Sequence, residues 1–231
     1  MVAGVESLGI KPSELDGILI THEHSDHISG LGILARKYEI PIYTTRETFE
    51  AIKQDKKIGL LPEGLFHEVR YDEKFILKDM EIYPVRISHD AKKPVAYRVG
   101  CEKKKVGILT DLGNFNDYIV ECMSNLDAVL LEANHDVNML QVGPYPYYLK
   151  QRILGDRGHL SNELCGTLLD RILHNGTKQV VLGHLSKENN MPELAYETVR
   201  LEIDMSDSPF KAKDFHLSVA KRSEVSEVIE I

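Results

Sequence analysis

The segment Thr21-His22-Glu23-His24-Ser25-Asp26-His27 constrains this chain more than any other stretch of it. It follows Gly17-Ile18-Leu19-Ile20, an apolar run that reads as a short buried strand. Three imidazoles and the Asp26 carboxylate therefore crowd the six residues His22 to His27 at the mouth of a strand. In extended chain, side chains two apart project to the same face, so His22 and His24 can reach one cation. Asp26 and His27 come after the chain has turned, and they suit a second ion beside the first. Neutral imidazoles with a carboxylate oxygen form a donor set for zinc, manganese or iron. A lone histidine at a strand end is ordinarily a surface or capping residue, but four potential ligands in six residues ask for another explanation.

The rest of the pattern alternates strands and helices. Ile28, Leu31, Leu34 and Ala35 form a helical stripe after the histidine cluster, and Pro41-Ile42-Tyr43 begins the next strand. Residues 46–53 read as a helix, and residues 68–111 turn mostly to strands. The charged run Cys101-Glu102-Lys103-Lys104-Lys105 makes a hairpin tip between strands at 95–99 and 106–109. Asp127-Ala128-Val129-Leu130-Leu131 is a further buried strand. Ser161 is an N-cap for a helix carrying Leu164, Leu168 and Ile172 on one face, which Asn175-Gly176 should end in the left-handed conformation. Pro192 starts another helix that runs through Leu201, and Phe215, Leu217 and Val219 alternate as a half-buried strand. Strands interleaved with helices in this way specify an α/β protein whose sheets are covered by helices.

Length and composition narrow the function. A chain of 231 residues with 42% hydrophobic content can bury a full core, and one domain is the default expectation. No apolar run approaches a membrane span, and the first residues carry no secretory signal. Cys101, Cys122 and Cys165 are odd in number and widely spaced, which gives neither a disulfide framework nor a CxxC metal site and points to the reducing cytoplasm. The net charge of −8 requires that any nucleic acid be met by a local basic patch. Lys150, Arg152 and Arg157, just before His159, and Lys187, just after His184, are the candidates for one.

His22-x-His24-x-Asp26-His27 resembles the signature of the metallo-β-lactamase-fold hydrolases. The family's later motifs have counterparts here, each just beyond a short apolar run: His89, Asp111 and His184. The resemblance implies a four-layer αββα sandwich and two divalent metal ions, zinc first, with manganese or iron as alternatives. One ion would be held by His22, His24 and His89 and the other by Asp26, His27 and His184, with Asp111 bridging. Glu132-Ala133-Asn134-His135-Asp136, Arg157-Gly158-His159-Leu160-Ser161-Asn162 and Gly183-His184-Leu185-Ser186 narrow the likeness to the bacterial YycJ (WalJ) group, which is regarded as exonuclease-like. Members of the family carry further strands ahead of the helix that precedes the metal strand. This sequence begins inside that helix, so a misplaced start or a fragment is expected, with the N-terminal strands missing.

The resemblance implies a phosphodiesterase or nuclease whose partner is a phosphodiester substrate, DNA above all. A hydroxide shared by the two metals would attack phosphorus, with Asp26 and Asp111 placing the metals. His159, in a Gly-His-Leu-Ser-Asn turn at a helix start, is the candidate to meet the leaving oxygen. Asn134 and His135 are expected only to hydrogen-bond at a strand end, and His174 to answer a helix dipole. Two alternatives remain at this stage. One is a thioester or lactone hydrolase of the same fold, because one fold hosts several chemistries. The other is an inactive truncated relic, against which the retention of all seven ligands argues.

Overall fold

A computed structural model describes residues 2–231, and it groups the chain into two compact units. The first comprises Met1–Arg86 and Ala91–Val95, and the second Ile87–Asp90 and Ala96–Ile231.

The first unit runs through α1 (Val2–Ser7), β1 (Ile18–Leu19), α2 (Ser25–Ile28), α3 (Leu31–Tyr38), β2 (Ile42–Thr44), α4 (Arg46–Gln54), β3 (Phe66–Glu68), β4 (Phe75–Leu77) and β5 (Met80–Arg86). Strands β1, β2 and β3 form a parallel sheet in that order, and β4 pairs with β5 as an antiparallel hairpin. Ile18, Ile20 and Ile42 from the sheet pack with Leu31 and Leu34 of α3 and with Phe49 and Ile52 of α4. This is the apolar stripe that the sequence periodicity marks. Thr45 caps α4 by accepting from Thr48 N, the arrangement that satisfies an orphan N–H at a helix start. Gly17 is glycine by necessity, since a Cβ there would stand 2.7 Å from the Tyr43 ring.

The second unit carries most of β6 (Val95–Cys101), then β7 (Lys104–Leu109), α5 (Asp117–Cys122), β8 (Ala128–Glu132), α6 (Val137–Val142), α7 (Tyr147–Leu154), α8 (Asn162–Ile172), β9 (Gln179–Gly183), α9 (Pro192–Met205) and β10 (His216–Val219). Its strands lie in the order β10-β9-β8-β7-β6. The β6–β7 pair is an antiparallel hairpin, as the charged tip at Glu102 and Lys103 predicts, and the other neighbours are parallel. Leu109, Leu131 and Leu182 sit side by side in register and are fully buried. Parallel pairing in register places the carboxyl ends of β7, β8 and β9 on one rim, where ligands bind in sheets of this kind. Gly166 lets α8 approach α9, since a Cβ would fall 2.5 Å from the Glu202 Cβ.

Two local expectations are corrected. Ser161 does cap α8 by accepting from Leu164 N, and Leu168 and Ile172 are buried, but Leu164 itself is exposed. The helix also ends earlier and differently, for Leu173 is extended at φ −59°, ψ 144° rather than left-handed. The His174 side chain ties the turn after the helix to the residues around it. One ring nitrogen pairs with the Leu126 carbonyl at 2.9 Å, and the other accepts from Gly176 N at 3.1 Å. His174 is thus a structural histidine, held by these bonds rather than by a helix dipole alone.

Candidate metal centre

In the first unit the histidine cluster spans the end of β1 and the first turn of α2. His22 is fully buried, and its ring lies edge-on to His24 with centroids 4.6 Å apart. The His27 ring is 4.1 Å from His22 by the same measure, so the turn into α2 returns His27 to its neighbours. The Thr21 hydroxyl stands 3.1 Å from His22 Nδ1 and 3.3 Å from His27 Nδ1. That engagement constrains the orientation of both rings. Asp26 stands beside them, its Oδ2 3.6 Å from His27 Nε2, with a largely exposed side chain. Lys92 N donates to Glu23 Oε1 at 2.8 Å, and Val95 N to Thr21 O at 3.0 Å, so both flanks of the cluster are pinned.

In the second unit Asp111, Glu132 and His184 occupy the rim formed by β7, β8 and β9. The donor atoms of Asp111, Glu132, His159 and His184 all lie within 4.8 Å of one another. Three imidazole nitrogens converge on one oxygen, Asp111 Oδ1: His89 Nε2 at 3.6 Å, His184 Nε2 at 3.6 Å and His159 Nδ1 at 3.7 Å. These separations exceed a hydrogen bond and approach the spacing of donors that share a zinc ion at ~2.0–2.1 Å.

The far nitrogens of the two candidate ligands are committed. His89 Nδ1 pairs with Gly158 O at 3.1 Å, and His184 Nδ1 with Glu132 Oε1 at 2.8 Å. Histidines that bind metal are typically held in this way, with the far N–H on a carbonyl or carboxylate. Burial also pushes the His89 imidazole below its ordinary value, which favours the neutral form that a metal requires. On donor chemistry and orientation, these residues fit divalent metal ions.

Glu132 is the functional residue that sequence reasoning overlooked. It is fully buried at the end of β8 and is met on every side. Oε1 receives His159 Nδ1 and His184 Nδ1, each at 2.8 Å, while Oε2 accepts from Leu112 N at 2.9 Å and Leu160 N at 3.3 Å. Burial drives its carboxyl upward, but the two imidazole bonds outweigh that and hold it below the ordinary range. The reciprocal effect appears at His159, where burial disfavours the imidazolium and the Glu132 carboxylate more than offsets it, so the pKa is raised. Its sequence signals were an acidic residue ending an otherwise apolar strand and its place at the head of the Glu132-Ala133-Asn134-His135-Asp136 motif, neither of which assigned it a role.

Backbone strain marks the same rim. Asp111 has φ 59° and His184 φ 55°, left-handed conformations that cost of order 1–3 kcal/mol for residues with a Cβ. Asn134 secures one of them by donating from Nδ2 to His184 O at 2.9 Å, in keeping with a strand-end hydrogen-bonding role. His135 departs from that role. It is 1% exposed, neither ring nitrogen has a hydrogen-bond partner among the described residues, and burial pushes its pKa down to about 4.

The basic residues near His159 divide by function. Arg157 donates from Nε and Nη2 to His89 O, at 3.1 and 3.0 Å, and therefore braces a candidate ligand. Arg152 pairs with Asp90, and Lys150 donates to Gln141 O at 2.8 Å.

A strand-end cluster of histidines in one unit, and a carboxylate meeting three imidazoles in the other, are features of one superfamily. A family model described as a beta-lactamase superfamily domain matches residues 5–185. The chain belongs to that superfamily. Among its relatives, the exodeoxyribonuclease WalJ of Streptococcus pneumoniae serotype 2 is 44% identical over 197 residues, covering 85% of this chain and 73% of that protein. The exodeoxyribonuclease YycJ of Bacillus anthracis is 38% identical over 195 residues, covering 81% and 70%. The solved metallo-beta-lactamase fold protein YhfI from Bacillus subtilis superposes with a TM-score of 0.66 at 16% identity, covering 96% of this chain and 81% of that one. The α/β metallo-β-lactamase fold expected from the sequence is borne out, and the chain is a metal-dependent hydrolase of this superfamily. Among the described residues no helix is long and apolar enough to cross a membrane.

Proposed function

We propose that this protein is a dinuclear metal-dependent phosphodiesterase that acts on DNA as an exonuclease. The observation that carries the reading is the convergence of His89, His159 and His184 on Asp111, with Glu132 behind two of the rings. The exodeoxyribonuclease names of relatives at 38–44% identity support the substrate class. We assign His22, His24 and His89 to one ion, Asp26, His27 and His184 to the other, and Asp111 to both. Zinc suits the nitrogen-rich donor set, and manganese or iron suits the added carboxylates. Three cysteines without a disulfide fit a cytoplasmic protein.

A pair of divalent ions supplies a nucleophilic water at neutral pH and draws charge from the phosphoryl oxygens. The chain supplies the remainder. Asp111 is held in its left-handed backbone so that its carboxylate faces the ligating histidines. Glu132 keeps the proton of His159 on Nδ1, so Nε2 is the nitrogen that exchanges a proton with the departing 3′ or 5′ oxygen. His159 N donates to Ile153 O at 3.0 Å, which fixes the loop that carries the ring.

The test uses protein stripped with chelator and reloaded with zinc or manganese, assayed on a labelled oligodeoxynucleotide, bis-p-nitrophenyl phosphate and a thioester. Metal-dependent release of mononucleotides and turnover of the diester are expected. Thioester cleavage without diester cleavage overturns the proposal.

A further inference from the structure

We infer that the segment Gly143–Arg157, built around α7, is a docking arm for single-stranded DNA, on which Tyr147 and Tyr148 stack bases. This deepens the proposed function and rests on it.

The helix α7 contains no buried residue. Tyr147 is 76% exposed and Tyr148 74%, which is unusual for rings that ordinarily repay burial. Three of the chain's ten tyrosines, Tyr145, Tyr147 and Tyr148, fall within four residues. Pro144 and Pro146 flank Tyr145 and limit the backbone freedom of the approach, and Pro146 is extended at φ −58°, ψ 149°.

The charge of the segment is opposite to that of the chain. Between Val137 and His159 the basic residues are Lys150, Arg152 and Arg157, and Asp156 is the only acid, whereas the whole chain carries −8. Exposed aromatic faces with local positive charge form the recognition chemistry of single-stranded nucleic acid, because every base has a face to stack and every nucleotide a phosphate to pair. Lys150 and Arg152 follow the exposed rings along the same short helix, and since Arg152 shares its charge with Asp90, Lys150 is the cation placed to meet a phosphate.

The arm is held at both ends, its amino end by Gly143, where a Cβ would stand 2.7 Å from Asn189 Oδ1. Its carboxyl end is tied to the candidate centre: Arg152 pairs with Asp90, Arg157 donates to His89 O, and Ser88 Oγ donates to Asp156 O at 2.7 Å. Gly113 packs so closely on this loop that a Cβ would stand 2.4 Å from Gly158 N. The eight residues of α7 extend about 12 Å from that anchor, at ~1.5 Å per residue. The tyrosines therefore lie where a strand would pass a few nucleotides away from the bond beside His159. Binding there is remote from the reacting phosphate, so it governs capture of a long substrate and leaves the chemistry of a small one unchanged.

The experiment compares metal-loaded wild type with Y147A/Y148A and Y147F/Y148F on a single-stranded oligodeoxynucleotide and on bis-p-nitrophenyl phosphate. Stacking is worth roughly ten-fold or more per base, so the alanine pair should raise KM for the oligonucleotide ten- to a hundred-fold. Its kcat, its melting temperature and its turnover of the small diester should match wild type, and the phenylalanine pair should restore KM. An unchanged KM in the alanine pair overturns the inference while the hydrolase reading stands. Loss of small-diester turnover in that pair also overturns it, since the rings would then support the fold. A wild type inactive on both substrates overturns the functional reading and this inference together.

Discussion

Glu132 Oε1 lies 2.8 Å from His159 Nδ1, and the same oxygen receives His184 Nδ1 at 2.8 Å. One buried carboxylate therefore sets the orientation of a proposed metal ligand and of the proposed proton donor together. The Glu132→Gln variant replaces this acceptor with an amide that cannot hold both imidazoles and the N–H groups of Leu112 and Leu160. Metal affinity should fall roughly ten- to a hundred-fold, as for other partners of ligating histidines. Turnover should fall further, since His159 loses its orienting partner as well. Metal content after dialysis against graded chelator, read beside kcat on DNA, checks this. Wild-type retention of metal and rate would remove Glu132 from the site.

His159 and His184 share that carboxylate but are assigned different work, and single substitutions should separate them. His184→Ala should lose metal, and activity with it. His159→Ala should keep its metal and lose about 10²–10⁴-fold in DNA turnover, the usual contribution of a general acid. The loss should be smaller on bis-p-nitrophenyl phosphate, whose leaving phenolate needs little help. Equal losses on the two substrates would argue that His159 acts on something other than the leaving oxygen.

An apolar strand delivers its next polar residue to the rim of the sheet, which made His22 a candidate from the hydrophobic pattern and agreed with the family resemblance that singled out Asp111 and His184. The strands themselves were legible for the same reason, as at 127–131 and 179–183. Glu132 was not, because a glutamate at the last position of a strand looks like any solvated strand end until the parallel neighbours close over it. The left-handed backbones of Asp111 and His184 were equally hidden, since neither residue type demands that conformation. Asn175-Gly176 misled in the opposite direction. The pair has the composition of a left-handed cap, but Leu173 already leaves the helix with an extended backbone, and Gly176 N bonds the His174 ring.

Gly158 tests whether the loop behind His159 must be held tightly. A Cβ there would stand 2.1 Å from Ile153 O and 2.4 Å from Arg152 O, both backbone atoms that cannot swing aside. The carbonyl of Gly158 also holds His89. Gly158→Ala should cost at least about 1–3 kcal/mol, the usual range for overpacking, and should reduce metal retention. A Cβ added at Gly64 would meet nothing within 4 Å among the described residues, so Gly64→Ala is the control and should shift stability by no more than about 1 kcal/mol. Denaturant melts of the two variants check the contrast, and equal melts would show that the loop can relax.

Asp127 gives a prediction far from the chemistry. Its Oδ1 takes Lys104 Nζ at 2.8 Å and its Oδ2 takes Lys105 N at 3.0 Å, which ties the start of β7 to the residue before β8. The Lys104 hydrogen bond, followed by the Lys105 N–H, holds the carboxyl below the ordinary carboxylate range. A carboxyl depressed by folding stabilises the protein above its unfolded pKa of ~3.9, and that contribution fades as pH falls through the lower folded value. The pair is partly exposed and screened, so Asp127→Asn should cost only about 0.2–1 kcal/mol at neutral pH. The difference between wild type and variant should shrink steadily below pH ~4 and should also shrink in high salt. Urea melts across that range decide it, because a difference that persists in acid would mean that packing or the Lys105 N–H bond, rather than charge, accounts for the loss.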